Sequence, residues 1–295
     1  MNKKRISSSL KKDFFLALLV PIMLLFIYMI KILGKIDLES IPKERPQFKA
    51  EKYKPLLDKK INELSTHLNN EYANIFMSDC SVSLSNESDI EFVKEREDTW
   101  SKEMGKSKET WLKDKELNKS SLAETAITLL LDKALKDNFL VCKSSKYDDY
   151  KHGVDNIILD KETGNIVCGF DDVLGHSGDD GGEKKKDKIR KIMEKGGVSL
   201  KQGLSFKEDG SLQVKELHNL PALYLGISKE DLESLLEGLN TDSKEMNEIE
   251  KNLIFKFIKS MDEQLESFKF DNLNSKLETN ILEFEKSLKK IKSII

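Results

Sequence analysis

Cysteine is scarce in this chain of 295 residues, and the three present, Cys80, Cys142 and Cys168, show neither CxxC spacing nor close pairing. A disulfide framework and a zinc ribbon therefore have no basis. Cys142 and Cys168 fall in apolar runs and are expected to be small core residues. An excess of one charge sign is missing too: 49 Lys and Arg against 52 Asp and Glu leave a formal net charge of -3. The whole molecule has no field that draws it to nucleic acid, so any such contact must be local. No Walker Lys-Thr pair and no G-x-S-x-G elbow occurs, and GHSGDDGG at 175 to 182 misses the EF-hand register. P-loop nucleotide hydrolysis and serine hydrolysis are thus unsupported. His67, His152, His176 and His218 share no metal-ligand spacing. Aromatics are only 7%, and 34% charged against 38% hydrophobic residues suits long solvated helices around a limited core.

One long apolar run stands out. Phe14 to Ile30, FFLALLVPIMLLFIYMI, is 17 residues without a charge, and Ile32 and Leu33 extend it past Lys31. About 20 residues of helix span roughly 30 Å, the hydrocarbon thickness of a bilayer. Pro21 is tolerated in such a helix, where neighbouring groups satisfy the freed carbonyl. A cleaved signal peptide needs a shorter run and small residues at its cleavage site, which the sequence 30 to 35, IKILGK, does not offer. Residues 14–33 are expected to form a single transmembrane helix in contact with lipid, behind a basic tail at 1–13. Lys3, Lys4, Arg5, Lys11 and Lys12 precede the run and Lys31, Lys35, Lys43, Arg45 and Lys49 follow it, so the flanking charge leaves the orientation open. The unpaired cysteines tilt the hydrophilic body toward the reducing cytoplasm.

Residues 34–119 read as a linker and helical region. Pro42 and Pro46 mark the linker, and Leu56, Leu57, Ile61, Leu64, Leu68 and Tyr72 recur at helical spacing from Lys54 to about Asn74. The stretch from 77 to 120 is polar, and Trp100 and Trp111 are expected to pack a loose helical segment onto the next domain. Residues 120–239 alternate helix and strand signals, which defines an α/β or α+β unit. A helix is expected from Ser121 to about Lys136, strands at 139–144, 154–159 and 165–172 with a tight turn between the last two, and a flexible Gly175 to Gly182 loop. A basic helix at 183–195, strands at about 198–206 and 211–217, and a helix from Ser228 complete the unit. Residues 240–295 are expected to be a charged helical extension, with Ile249, Leu253, Ile254, Phe257, Ile258, Met261 and Leu265 on its apolar face and a protein partner as one use for it.

The chemistry concentrates on the hairpin. Asp155 begins one strand and Asp171 and Asp172 end the next, so adjacent strand ends bring the carboxylates together. Paired acidic oxygens of this kind bind Mg²⁺ or Mn²⁺, which polarises a phosphate and lowers the pKa of an attacking water. Glu124, on the preceding helix, is a further oxygen donor, although Ser121-x-x-Glu124 also reads as a capping box that needs no metal. Asp148 and Asp149, just ahead of the hairpin, either add oxygens or cap the turn. His152 and His176 flank it. Lys184, Lys185, Lys186, Lys188, Arg190 and Lys191 form a basic stripe suited to a phosphate backbone, or alternatively a solvated face.

In SLAETAITLL with Glu124, YDDYKHGVDNII with Asp155 and IVCGFDDV with Asp171, the chain resembles the PD-(D/E)XK nuclease superfamily, in particular its RecB-like and Holliday-junction-resolvase-like core. The resemblance covers about residues 120 to 206 in the order helix, strand, Asp-bearing hairpin, helix, strand. It implies a restriction-endonuclease-like mixed sheet with flanking helices, and Mg²⁺-dependent cleavage of phosphodiester bonds in DNA. Asp155 and Asp171 would hold metal, with Glu124 or Asp172 assisting. The sequence departs from the family where its lysine is expected, because Val173 stands two residues after Asp171. Lys201 or Lys143 is expected to replace that lysine if catalysis is retained. The alternative is a catalytically inactive nuclease fold, tethered to the membrane as an interaction protein.

Overall fold

Three almost continuously apolar runs form the centre of the molecule. The computed structural model describes residues 49–72, 74–175, 180–239, 243, 245–268 and 273–295, with the side chains of 180–183 left aside. Strands β1 (Phe139–Lys143), β2 (Asn156–Asp160) and β3 (Ile166–Leu174) pair antiparallel in sequence order. Almost every residue in them is buried, which requires cover on both faces of the sheet. The apolar pattern of the sequence locates all three strands to within about two residues.

The fourth strand of this sheet is β6 (Ala222–Ile227), which runs parallel to β3 and makes the sheet mixed, in the order β1-β2-β3-β6. The sequence pattern predicts no strand there, because ALYLGI is short and follows Pro221. The family resemblance points instead to the strand near 198–206 as the last of the core. That strand, β4 (Val198–Phe206), pairs with β5 (Leu212–Leu220) in a separate two-stranded sheet. The physical reason is visible along β5, where LQVKELHNL is exposed in its middle and buried only at its ends.

Helices supply the cover. α1 (Ala50–Tyr72), α2 (Glu87–Glu103), α3 (Lys108–Glu116) and α4 (Lys119–Leu135) precede β1. The polar stretch at 77–120 therefore contains two defined helices, each begun by a side-chain cap, from Asn86 and Ser107. Trp100 packs against Trp111 at 5.9 Å and edge-on against Tyr150 at 4.9 Å. α4 is buried nearly all round, through Leu122, Ala126, Ile127, Leu130 and Leu135, and lies on β1 and β3. Each such leucine or isoleucine withdrawn from water contributes roughly 1.5–3 kcal/mol.

A short helix unforeseen in the sequence, α5 (Lys146–His152), joins β1 to β2. Ser145 caps its start by accepting from the Asp148 amide, and Gly153 ends it in the left-handed region at φ 68°. The basic helix α6 spans Asp180–Glu194 and packs on β6; it begins inside the expected Gly-rich loop, whose residues 176–179 lie outside the described ones. α7 (Lys229–Gly238) starts behind its Ser228 cap, as read from sequence. The C-terminal extension is two helices, α8 (Glu248–Phe268) and α9 (Ser275–Ile294). α8 buries all the expected apolar residues except Ile249, which is exposed in the first turn at the margin of the apolar stripe.

The extension is part of the fold. α8 packs on β6 and α4, and α9 on β3 and β5. Buried Glu250 accepts from Lys133 Nζ at 2.8 and 3.0 Å, tying α8 to α4, and Lys290 reaches Asp160 at 3.2 Å, tying α9 to the β2–β3 turn. The expected transmembrane helix at 14–33 lies outside the described residues. Among the described residues no helix is long and apolar enough to cross a membrane.

Candidate active site

Side chains alternate along a strand, so Asp171 and Asp172 point to opposite faces of the sheet. Asp172 faces α4. Its Oδ2 accepts from Asn156 Nδ2, and Asn156 Oδ1 in turn accepts from Thr128 Oγ1 at 2.6 Å. Its other oxygen, Oδ1, is buried without a hydrogen-bond partner among the described residues. Asp171 faces α6, and both of its oxygens are taken: Lys185 Nζ donates to Oδ1 and Lys188 Nζ to Oδ2, the latter at 3.3 Å. Asp155 Oδ2 accepts the backbone amide of Asp172 at 2.6 Å, which locks the first carboxylate of the hairpin against the second.

Glu124 reaches this group from α4. The structure removes the capping-box reading of that residue, because the N-cap is Asn118, whose side chain accepts from the Ser121 amide at 2.8 Å. Ser121 is already inside the helix, so Glu124 caps nothing. It lines a cavity of about 200 Å³ together with Thr125, Lys143, Asp149 and Asp155. Lys143 Nζ donates to Thr125 Oγ1 at 2.7 Å in that cavity, and Lys54, Lys115 and Lys146 line it further out.

Electrostatically the carboxylates are crowded. Burial lifts the Asp155 carboxyl well above the usual range, and the charges of Asp172, Glu124, Asp149 and Asp171 push the same way. Asp172 is raised well above it by burial, with Glu124 and Asp171 adding to the effect. Burial brings Glu124 to about 7 against the opposing pull of Lys143, and Asp149 is raised by burial as well. Buried carboxylates with such mutual repulsion are where functional sites concentrate. All the donors are hard oxygens and one of them is unpartnered, which fits a divalent cation such as Mg²⁺ or Mn²⁺ in chemistry and charge. Among the described residues, no three His, Cys, Asp or Glu side chains stand close enough together to hold one ion as they are.

The remaining expected residues divide clearly. Lys143 is in the cavity, and its charge acts on Glu124, Asp149 and Asp172. The Lys201 ammonium lies elsewhere, paired with Asp89 and placed 5.0 Å over the Tyr147 ring. Asp148, fully buried, accepts from the Lys201 and Gln202 amides at 2.8 and 3.0 Å, so it fastens β4 to α5. Val173 is half-buried on β3. Arg190 pairs with Asp187 at 3.3 Å, while Lys184 and Lys191 are exposed. His152 is half-buried at the end of α5; His176 lies outside the described residues.

Sequence reasoning missed the pairing of Asp171 with Lys185 and Lys188. The signal was the run EKKKDK, read as a nucleic-acid stripe, because nothing in a linear sequence says that α6 turns back over β3. Gly153 makes the approach possible: a Cβ there would collide with Lys188 Nζ and lie 3.7 Å from Asp171 Oδ2. Comparison with models of protein families, with curated proteins and with solved structures yields no match to this chain.

Proposed function

We propose that the chain is a membrane-anchored, metal-dependent nuclease-like protein with a restriction-endonuclease-like core, acting on phosphodiester bonds of DNA. The observation that carries this reading is the buried, mutually repelling set Asp155, Asp172 and Glu124 with an unpartnered Asp172 oxygen. Those three residues would hold Mg²⁺ or Mn²⁺ only by drawing closer together than they stand in this structure. When bound, such an ion polarises the phosphate and lowers the pKa of an attacking water. Asp171 is less suited to ligation than its place in the sequence suggests, because two ammonium groups already occupy its oxygens.

The lysines supply what the D-x-K position lacks. Lys143, held by Thr125 beside Glu124, offers an ammonium on the cavity side of the carboxylates. Lys185 and Lys188 offer two more from α6, anchored by Asp171 so that a substrate phosphate meets them already oriented. Residues 14–33 would hold the body at the bilayer, with the cytoplasmic face favoured by the free thiols of Cys80, Cys142 and Cys168.

The test is cleavage of supercoiled plasmid by the full chain in detergent, with Mg²⁺, with Mn²⁺ and with EDTA. Metal-dependent nicking is expected, reduced on the order of 100-fold or more in Asp155→Asn and Asp172→Asn proteins that still melt cooperatively. A second reading, an inactive nuclease fold used for contacts at the membrane, is favoured by Val173 in place of the motif lysine. Absence of nicking under every metal, with no Mn²⁺ binding by calorimetry, selects it.

A further inference from the structure

Beside the end of α5 lies an open groove of about 680 Å³ that shares no lining residue with the carboxylate cavity. Its walls are the end of α5 and the exposed side of α6, and its floor is the start of β4 at Gly197, Val198 and Ser199. Five ammonium groups line it: Lys151, Lys184, Lys188, Lys191 and Lys195. Its one acid, Asp187, is paired with Arg190, and Lys184, Lys191 and Lys195 make no ion pair with any described residue. A surplus of about four positive charges in a concave site is a local exception in a chain of net charge -3. Lys188 belongs both to this groove and to the Asp171 pair, so the groove adjoins the Asp171 side of the hairpin.

One ring also lines the groove, that of His152. Burial lowers its pKa, so at neutral pH it presents an uncharged aromatic face. Tyr147 supports it edge-on at 6.1 Å, and Phe92 meets Tyr147 at a tilt at 5.0 Å, so the imidazole is backed by a cluster of aromatic rings from α5 and α2. Lysines that track a backbone beside a rigid ring that accepts a base are the two elements of a single-strand site. A duplex keeps its bases stacked inside and gains nothing from the ring. A lipid surface is flat and cannot enter the groove, whose volume is that of a ligand cleft.

We infer that this groove binds unpaired nucleic acid, with phosphates on Lys151, Lys191 and Lys195 and a base stacked on His152, next to the Asp171 side of the carboxylate hairpin. The inference rests on the nuclease-like reading for the fate of the strand, but binding is measurable without cleavage. The experiment is fluorescence anisotropy of the full chain in detergent with EDTA, using a labelled single strand of about 15 nucleotides and its duplex. The single strand is expected to bind at least about 10-fold more tightly. Lys191→Glu with Lys195→Glu should weaken it on the order of 10-fold and reduce the salt slope by about 1.4. His152→Ala should weaken it about 5-fold or more, and His152→Phe should restore it, since stacking needs the ring and not the nitrogen.

Equal affinity for strand and duplex, or a His152→Ala protein that binds as the parent does, overturns the inference. Loss of binding in the lysine variant but equal loss in His152→Phe also overturns the stacking role. Failure of the nuclease reading looks different: single-strand binding intact, with no nicking of any substrate in Mg²⁺ or Mn²⁺.

Discussion

Asp171 and Asp172 are adjacent in sequence yet perform opposite electrostatic tasks, because the strand pleat sends one to the lysines of α6 and the other toward Glu124 and Asn156. The unneutralised set has a measurable consequence. The Glu124 carboxyl in the folded chain sits at about 7 against an ordinary 4.5, so folded protein holds that proton more tightly than unfolded protein does. The metal-free protein should therefore lose stability as pH rises from about 4.5 to 7 and level off above. Glu124→Gln should remove on the order of 3 kcal/mol of that slope. Denaturant melts of both proteins at pH 5 and pH 8 in EDTA check it; equal slopes would remove Glu124 from the buried cluster. Gly153→Ala is expected to cost about 1–2 kcal/mol from its left-handed backbone and to displace Lys188 from Asp171. Chemical denaturation and the plasmid assay on the same preparation read both effects.

Among the elements, α4 links the site to the rest of the fold. It presents Glu124, Thr125 and Thr128 to the hairpin and Lys133 to the buried Glu250 of α8. Glu250 also accepts the Asn247 amide at 2.8 Å, while the Asn247 side chain accepts from the Glu250 amide at 2.9 Å. Glu250→Ala leaves a nearly buried ammonium without its partner and opens that cap. A loss on the order of 3 kcal/mol is expected, or about 10 °C in melting temperature for a body of this size. A thermal scan showing no shift would mean that α8 is not held to α4 through this pair. The helices at 87–103 and 108–116 are illegible in the sequence as defined elements because their apolar residues are few; their caps, Asn86 and Ser107, are residue types common elsewhere in the chain. α5 escapes for a different reason: at seven residues it is shorter than two helical turns, too short for a hydrophobic period to register.

Over the whole molecule, residues 49–295 form one compact unit in which the C-terminal helices cover the sheet. A protein starting at residue 49 is therefore expected to fold cooperatively and to remain in the supernatant after centrifugation, whereas the full chain should sediment with membranes and resist alkaline carbonate. Recovery of the full chain in the carbonate supernatant would argue against the 14–33 anchor. Cutting the chain at 240, by contrast, should unfold it, since α8 and α9 cover β6 and β3.

Much of the central architecture is legible in the sequence because it is local. The β1, β2 and β3 runs announce themselves by continuous apolar composition, the β2–β3 hairpin by its turn residues, and α7 by its Ser228 cap. The convergence of Asp155 with the Asp171-Asp172 pair comes from that hairpin alone. The features beyond reach depend on contacts between distant segments. Only the tertiary structure decided that β6 rather than β4 completes the sheet, that α6 folds back to place Lys185 and Lys188 on Asp171, and that Lys201 turns away to Asp89. A linear sequence records which residues alternate and where turns begin. The partner of a lysine at the end of a flexible stem is chosen by the packing of helices that meet only once the chain has folded.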